Sequence, residues 1–206
     1  MKWLTRFFKR LFRRKPQLRI ADPVPVQKAN EFENPYYAEY LKLFNSMEIT
    51  QSPEWYLKII NKNKSYYLKA AEIVKCPWEV IAIIHCLECG GDMSRQILNG
   101  EKWNAKTKLV PKNMGPFKSF EESCLVGMEL HKKYIPDVWG VGNMLYFFEA
   151  WNGFGYRTYR GINSPYLWSF SNHYTSGKYV ADGKYDPSAV SKQCGAAVIL
   201  KALLDL

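Results

Sequence analysis

The sequence predicts a mainly α-helical domain with a small β-lobe, built around one buried central helix that ends at Glu88. Three observations carry this prediction. Trp78, Val80, Ile81, Ala82, Ile83 and Ile84 are apolar nearly all round, the mark of a helix covered on every side. Helical patterns stand both before and after that stretch. Between them, residues 99–116 run from Asn99-Gly100 to Gly115-Pro116, which reads as turns and short strands. The chain has 206 residues, of which 47% are apolar and 23% charged. At roughly 150 residues per domain this allows one domain plus an appendage, with enough apolar surface to exclude a mostly disordered chain.

The elements follow in order. Residues 1–15 hold Lys2, Arg6, Lys9, Arg10, Arg13, Arg14 and Lys15 on one helical face, and Trp3, Leu4, Phe7, Phe8, Leu11 and Phe12 on the other. Such a segment predicts an amphipathic interfacial helix. Pro16 ends it, and Pro23 and Pro25 mark a linker over 16–32, ahead of a domain over 33–206. Tyr36, Tyr37, Tyr40, Leu41 and Phe44 predict a helix, and Glu54 to Val74 one or two more. Pro77 opens the central helix, with Glu79 in its first turn, and Gly90-Gly91 stops it. Helices are expected again over Ser119–Tyr134 and Val141–Trp151. A Gly/Tyr/Ser-rich loop follows, and then a terminal helix over Pro187–Leu206, with Asp186-Pro187 as its cap.

Charge narrows the partners. Lys and Arg number 29 against 19 Asp and Glu, a net +10, but residues 1–15 hold seven positives and no acid, which leaves the rest at +3. Nucleic-acid binding is therefore not expected. Trp3, Phe7, Phe8, Lys9, Arg10, Arg13 and Arg14 instead predict contact with an anionic membrane or lipopolysaccharide. Arg6, Lys9 and Arg10 interrupt the apolar stretch that a secretory signal needs, and no run of 18 apolar residues is long enough to span a bilayer. Five cysteines predict free buried thiols in a reducing compartment.

Chemistry enters at Glu88. Burial disfavours a carboxylate, and the negative end of a helix macrodipole adds to the effect. A carboxyl held protonated near neutral pH is what a general acid for glycoside cleavage requires. Other constellations carry less. Cys86-x-x-Cys89 beside His85 has no second ligand pair at metal spacing, and His85-x-x-Glu88 lacks the second histidine of a metalloprotease helix, so no metal or cofactor is expected. A Cys–His pair from Cys86 or Cys89 with His131 or His173 has no local support. Glu149, Asp182 and Asp186 are further carboxylates to weigh.

Ile84-His85-Cys86-Leu87-Glu88, then a turn-rich lobe, then Glu149-Ala150-Trp151-Asn152-Gly153-Phe154-Gly155-Tyr156, resembles the lysozyme-like superfamily of peptidoglycan hydrolases. Phage-type lysozymes carry Glu-x8-Asp-x5-Thr. Here twelve residues separate Glu88 from Glu101, four more than in that pattern, and five separate Glu101 from Thr107, with Glu in place of Asp. Ser164-Pro165-Tyr166-Leu167-Trp168, Asn172-His173-Tyr174, Gly177-Lys178-Tyr179 and Asp182-Gly183 resemble a phage and bacterial subgroup of lysozymes. The resemblance covers residues 65–206. It implies a lysozyme-like fold and cleavage of the β-1,4 bond between N-acetylmuramic acid and N-acetylglucosamine. Glu88 would be the general acid, Glu101 would stabilise charge or position a water, and Thr107 would hold that water.

The aromatic and amide residues of 146–179 suit sugar stacking and hydroxyl recognition, and Asn152, Tyr156, Tyr166 and Trp168 are the expected cleft residues. A monomer acting on peptidoglycan glycan strands is expected, made without a secretory signal and reaching the wall after release or export. Three alternatives stay open: a lytic transglycosylase using Glu88 alone, a chitinase-like glycosidase, and a membrane-permeabilising or wall-binding protein acting through residues 1–15.

Overall fold

Val80 through Leu87 are all buried, and Ile81, Ile83 and Ile84 have no exposed surface. Ile costs a helix a few tenths of a kcal/mol relative to Ala, whereas full burial of its side chain is worth ~1.5–3 kcal/mol, so packing decides the conformation. The computed structural model describes residues 34–205. The arm and linker expected over 1–32 lie outside the described residues. The mainly helical chain runs through α1 (Tyr37–Asn45), α2 (Glu54–Val74), α3 (Trp78–Cys89) and α4 (Phe120–Leu130), then a 3₁₀ turn at Lys132–Tyr134. It continues with α5 (Val141–Asn152), α6 (Gly155–Arg160), α7 (Pro165–Trp168), the antiparallel pair β1 (Lys178–Ala181) and β2 (Lys184–Asp186), and α8 (Ala196–Leu204).

Glu54 to Val74 form one unbroken helix. Ile60, Asn63, Tyr67, Ala70 and Ala71 make its buried stripe, which packs along α3. Asn63 is the polar exception, and its amide donates to the Gly91 carbonyl at 2.8 Å, tying the two helices at the end where Glu88 sits. Lys75 closes α2 in the left-handed region at φ +58°, and Pro77 then starts α3. Helix α4 begins on Ser119, whose hydroxyl accepts the Glu122 N–H at 3.2 Å. Helices α5 and α8 cover the remaining sides of α3.

Two expectations are corrected. No strand occurs over 99–116; that stretch is a run of turns, and an isolated bridge between Arg95 and Lys102 is its nearest approach to a sheet. Pro111 and Pro116 carry no N–H for a ladder, and the other backbone donors are divided between side chains such as Glu101 and scattered carbonyls such as that of Met114. The β-hairpin lies at 178–186, turning at Asp182-Gly183 with Gly183 at φ +67°. The terminal helix begins at Ala196 rather than Pro187. Asp186 Oδ1 accepts the Ser188 N–H at 2.8 Å and the Ala189 N–H at 3.2 Å, which makes a turn where a helix cap is expected. Gly195 then lets the start of α8 press on α7, because a Cβ there would stand 2.1 Å from the Leu167 carbonyl oxygen.

An ionic cluster centred on the buried Glu149 joins α1, α5 and α6. Glu149 is 1% exposed, accepts the Tyr40 hydroxyl, and meets Arg157 Nη2 at 3.0 Å and Nε at 3.3 Å. Arg157 Nη1 also reaches Glu39 Oε1 at 2.8 Å, and the guanidinium lies 4.2 Å from the Tyr36 ring centre. Removing one partner of a buried pair typically costs ~3–5 kcal/mol because a charge is left uncompensated. Arg157→Ala should therefore lower stability by about that amount, and adding Glu149→Gln should return part of it, as read from urea midpoints. Identical midpoints for the single and double variants would show that the Glu149 charge is not the source of the loss.

Candidate functional site

Glu88 occupies the last turn of α3, where Gly90 at φ +65° ends the helix and the N–H groups of Gly90 and Gly91 return to the carbonyls of Cys86 and His85. The chain can reverse there because glycine enters the left-handed region without a steric cost. The Glu88 side chain turns toward α7 and α5. Its Oε1 accepts the Tyr166 hydroxyl at 3.1 Å. Desolvation raises its pKa to about 7, against the pull of the Tyr166 and Trp151 hydrogen bonds toward the ionised form.

The neighbouring backbone fixes this carboxyl in place. Gln193 Nε2 donates to the Leu87 carbonyl at 2.5 Å, and Gly100 approaches so closely that a Cβ there would lie 2.7 Å from the Glu88 carbonyl oxygen. On the other flank of the helix end, the Trp55 ring edge would stand 3.7 Å from a Cβ at Gly90, and its side chain is otherwise exposed. The structure thus brings together a carboxyl of raised pKa, a phenol and the 97–101 turn.

Of the expected site residues, Tyr166 is joined to Glu88 and the others sit elsewhere. Trp168 is corrected: it has no exposed surface and packs edge-on to His173, so it is a core residue with no face for a sugar. Glu101 pins its own loop, accepting the N–H groups of Lys108 at 2.9 Å and Leu109 at 2.9 Å, which hold its carboxyl below the usual range. Thr107 is also corrected as a water ligand, since it is 3% exposed and its hydroxyl donates to the Pro111 carbonyl at 2.5 Å and accepts the Met114 N–H at 2.9 Å. Neither residue has a hydrogen bond to Glu88 among the described contacts. Asn152 is exposed at the end of α5, one residue past Trp151. Tyr156 supports the hairpin, its hydroxyl accepting the Tyr179 N–H at 3.1 Å.

The remaining polar residues have structural partners. His85 Nε2 donates to the Asp92 carbonyl at 3.1 Å, which leaves Nδ1 to accept the Tyr67 hydroxyl at 2.9 Å, and burial lowers its pKa to about 4. Burial pushes the Cys86 and Cys89 thiols up to about 12, the reverse of what a nucleophile needs. His173 Nε2 donates to the Leu43 carbonyl at 2.8 Å. Glu149 is held by Arg157, and Asp182 lies at the exposed hairpin turn. A separate cleft of about 230 Å³, lined by Asn34, Lys133, Tyr134, Ile135, Asp137 and Tyr146 among others, does not include Glu88. Trp151 is the residue that sequence reasoning did not select. Its place at the end of a helix just before Asn152-Gly153 is a local signal, but its pull on the Glu88 carboxyl depends on tertiary packing.

A carboxyl whose folded pKa lies above its unfolded value of ~4.3 binds its proton more tightly in the native state. Its contribution is complete below the unfolded value and is lost as pH rises through about 7. Glu88→Gln removes that dependence, so the variant should match the parent at pH 4 and exceed it at pH 8, by up to about 3 kcal/mol. Thermal melts of both proteins at the two pH values check this, and a gap that does not widen with pH would refute the shift. Compared with protein-family models, curated proteins and solved structures, the chain matches none of them.

Proposed function

We propose that the protein is a peptidoglycan glycosidase of the lysozyme type, with Glu88 as its general acid and glycan strands as its substrate. The observation that carries this reading is a carboxyl at the end of a buried helix, held protonated to about pH 7 beside Tyr166 and Trp151. Its proton would pass to the glycosidic oxygen as the C1–O bond breaks toward an oxocarbenium-like state. The carboxylate left behind would be stabilised by the Tyr166 hydroxyl already facing it, which lowers the cost of giving up the proton. The order of motifs from Glu88 through Glu149–Tyr156 to Ser164–Gly183, similar to that of lysozymes, supports the same reading and a lysozyme-like fold.

A second reading draws on the position of Glu101. With that carboxylate bound to its own loop, Glu88 could work alone, as a lytic transglycosylase requires. Glu88 would then first donate to the leaving oxygen. As carboxylate it would take the proton of the muramoyl C6 hydroxyl while that oxygen closes on C1. Digestion of purified peptidoglycan followed by mass spectrometry separates the two: reducing muramic ends for hydrolysis, 1,6-anhydro ends for transglycosylation, and glucosamine reducing ends or cleaved peptides for neither. Glu88→Gln should lower the rate ~10²–10⁴-fold, and a variant with more than half the parent rate would overturn both readings. Glu101→Gln should slow a hydrolase that uses that carboxylate and spare a transglycosylase.

The basic, aromatic segment 1–15 would bring the enzyme to an anionic membrane or lipopolysaccharide. Each Lys or Arg near such a surface is worth ~1 kcal/mol and is screened within ~8 Å at physiological salt. Binding of the full chain to anionic vesicles should weaken with added salt without vanishing, since burial of Trp3, Phe7 and Phe8 is not screened. Deleting residues 1–15 should leave hydrolysis of purified peptidoglycan nearly unchanged. Equal vesicle binding by the full and shortened chains would refute this role.

A further inference from the structure

The 99–118 loop carries an excess of charge that its own folding does not use. It holds Lys102, Lys106, Lys108, Lys112 and Lys118 against one acid, Glu101, a larger excess than the +3 of the whole chain beyond residue 15. All five lysines are exposed, and none of their ammonium groups has an ion-pair partner among the described residues. The Glu101 carboxylate is turned back onto the N–H groups of Lys108 and Leu109. Between the lysines, Leu109 and Val110 stand side by side at 58% and 77% exposure, and Val110 is the most exposed large apolar residue among those described. The pair is held outward by the backbone on which it sits. Asn99 Nδ2 donates to the Leu109 and Val110 carbonyls, both at 3.3 Å, and the Leu109 N–H is taken by Glu101 at 2.9 Å. On either side of the pair, Thr107 bonds the Pro111 carbonyl and the Met114 N–H. The peptide groups of the tip thus face the base of the loop, and its apolar side chains face water. Single exposed apolar residues are ordinary, but two neighbours on a pinned tip among unpaired cations mark a contact surface.

We propose that this tip is a membrane-docking surface of the folded domain: Leu109 and Val110 enter the boundary between headgroups and acyl chains of an anionic bilayer, while Lys106, Lys108 and Lys112 lie against its phosphate groups. Apolar burial combined with attraction of cations to anionic lipid is what holds a protein segment in that interface. A soluble polyanion would account for the lysines, but it offers the apolar pair no place out of water. An apolar protein groove would take the pair and leave the cations without a complement. A bilayer with anionic headgroups satisfies both at once. Because Glu101, Asn99 and Thr107 already fix the loop, docking would require little further ordering of its backbone. The surface is separate from residues 1–15 and rests on no catalytic role for Glu88.

The test places a polarity-sensitive fluorophore on Val110→Cys in the full chain and, as a control, on Asp182→Cys at the exposed hairpin turn. The native thiols are buried or half-buried, and burial raises the pKa of all five, so near neutral pH the introduced thiol takes the label first. On vesicles of phosphatidylcholine with phosphatidylglycerol, the label at position 110 should brighten and shift to the blue, and the label at 182 should not. In the unlabelled full chain, replacing the pair by Leu109→Ser and Val110→Ser should weaken vesicle affinity roughly tenfold or more. Lys106→Gln, Lys108→Gln and Lys112→Gln should each weaken it roughly fivefold. Thermal midpoints should stay at the parent value, because all five side chains are exposed. A label at 110 that remains in water while the chain sediments with the vesicles would overturn the proposal and leave the role of residues 1–15 intact. So would a serine pair that binds as tightly as the parent, since the cations alone would then suffice. A response at 110 to soluble polyphosphate equal to that on vesicles would overturn it in favour of a soluble polyanion. None of these readings involves turnover, so they stand whether or not Glu88 is a general acid.

Discussion

The full burial of α3 is the constraint on which the rest of the molecule depends. A twelve-residue helix with eight consecutive buried residues needs cover on every side; α2, α5 and α8 pack on it, and Phe120 at the start of α4 stands against His85. The same burial sets the chemistry, because the last turn of such a helix carries Glu88 out of bulk water while Gly90 and Gly91 turn the chain away. A carboxyl in that position keeps its proton to about pH 7 for the reason that its neighbours are in the core.

Burying so much helix also buries polar groups, and each is given a specific partner. Asn63 meets the Gly91 carbonyl, His85 bridges the Tyr67 hydroxyl and the Asp92 carbonyl, and Gln193 meets the Leu87 carbonyl. All three lie around the C-terminal end of α3, where the helix leaves carbonyls without intrahelical donors. An unpaired buried polar group costs ~1–3 kcal/mol, so these contacts restrict the ways in which the helix end can move. The Tyr40–Glu149–Arg157–Glu39 cluster does the same for α5, the helix that delivers Trp151.

The 92–117 segment reaches the helix end by a different route. It has no extended ladder; Glu101 gathers the Lys108 and Leu109 N–H groups, and Thr107 bridges Pro111 and Met114. A side-chain-pinned loop of this kind can approach Glu88 closely at Gly100, where a larger residue would meet the backbone of α3. Glu101 and Thr107, whose spacing is similar to a lysozyme pattern, therefore have a structural task in this loop.

What the sequence determined by itself was whatever depends on near neighbours in the chain. The all-round apolar run of α3, its start at Pro77 and its end at Gly90-Gly91 were legible, and so was a Glu88 carboxyl pushed toward neutrality, since burial and helix position are both local properties. The tertiary structure alone decided which side chains meet that carboxyl. Tyr166 reaches it across 78 residues, on a short helix that α8 can approach because position 195 is glycine. It also decided between look-alike aromatics, placing Tyr166 against Glu88 and Trp168, two residues on, wholly in the core. Periodicity in a four-residue helix cannot make that distinction. Strand position was open for a related reason: at 99–116 the backbone donors are divided between side chains and scattered carbonyls with no continuous ladder, whereas at Asp182-Gly183 the turn brings two short strands into register, and which pairing forms is settled only when the chain has folded.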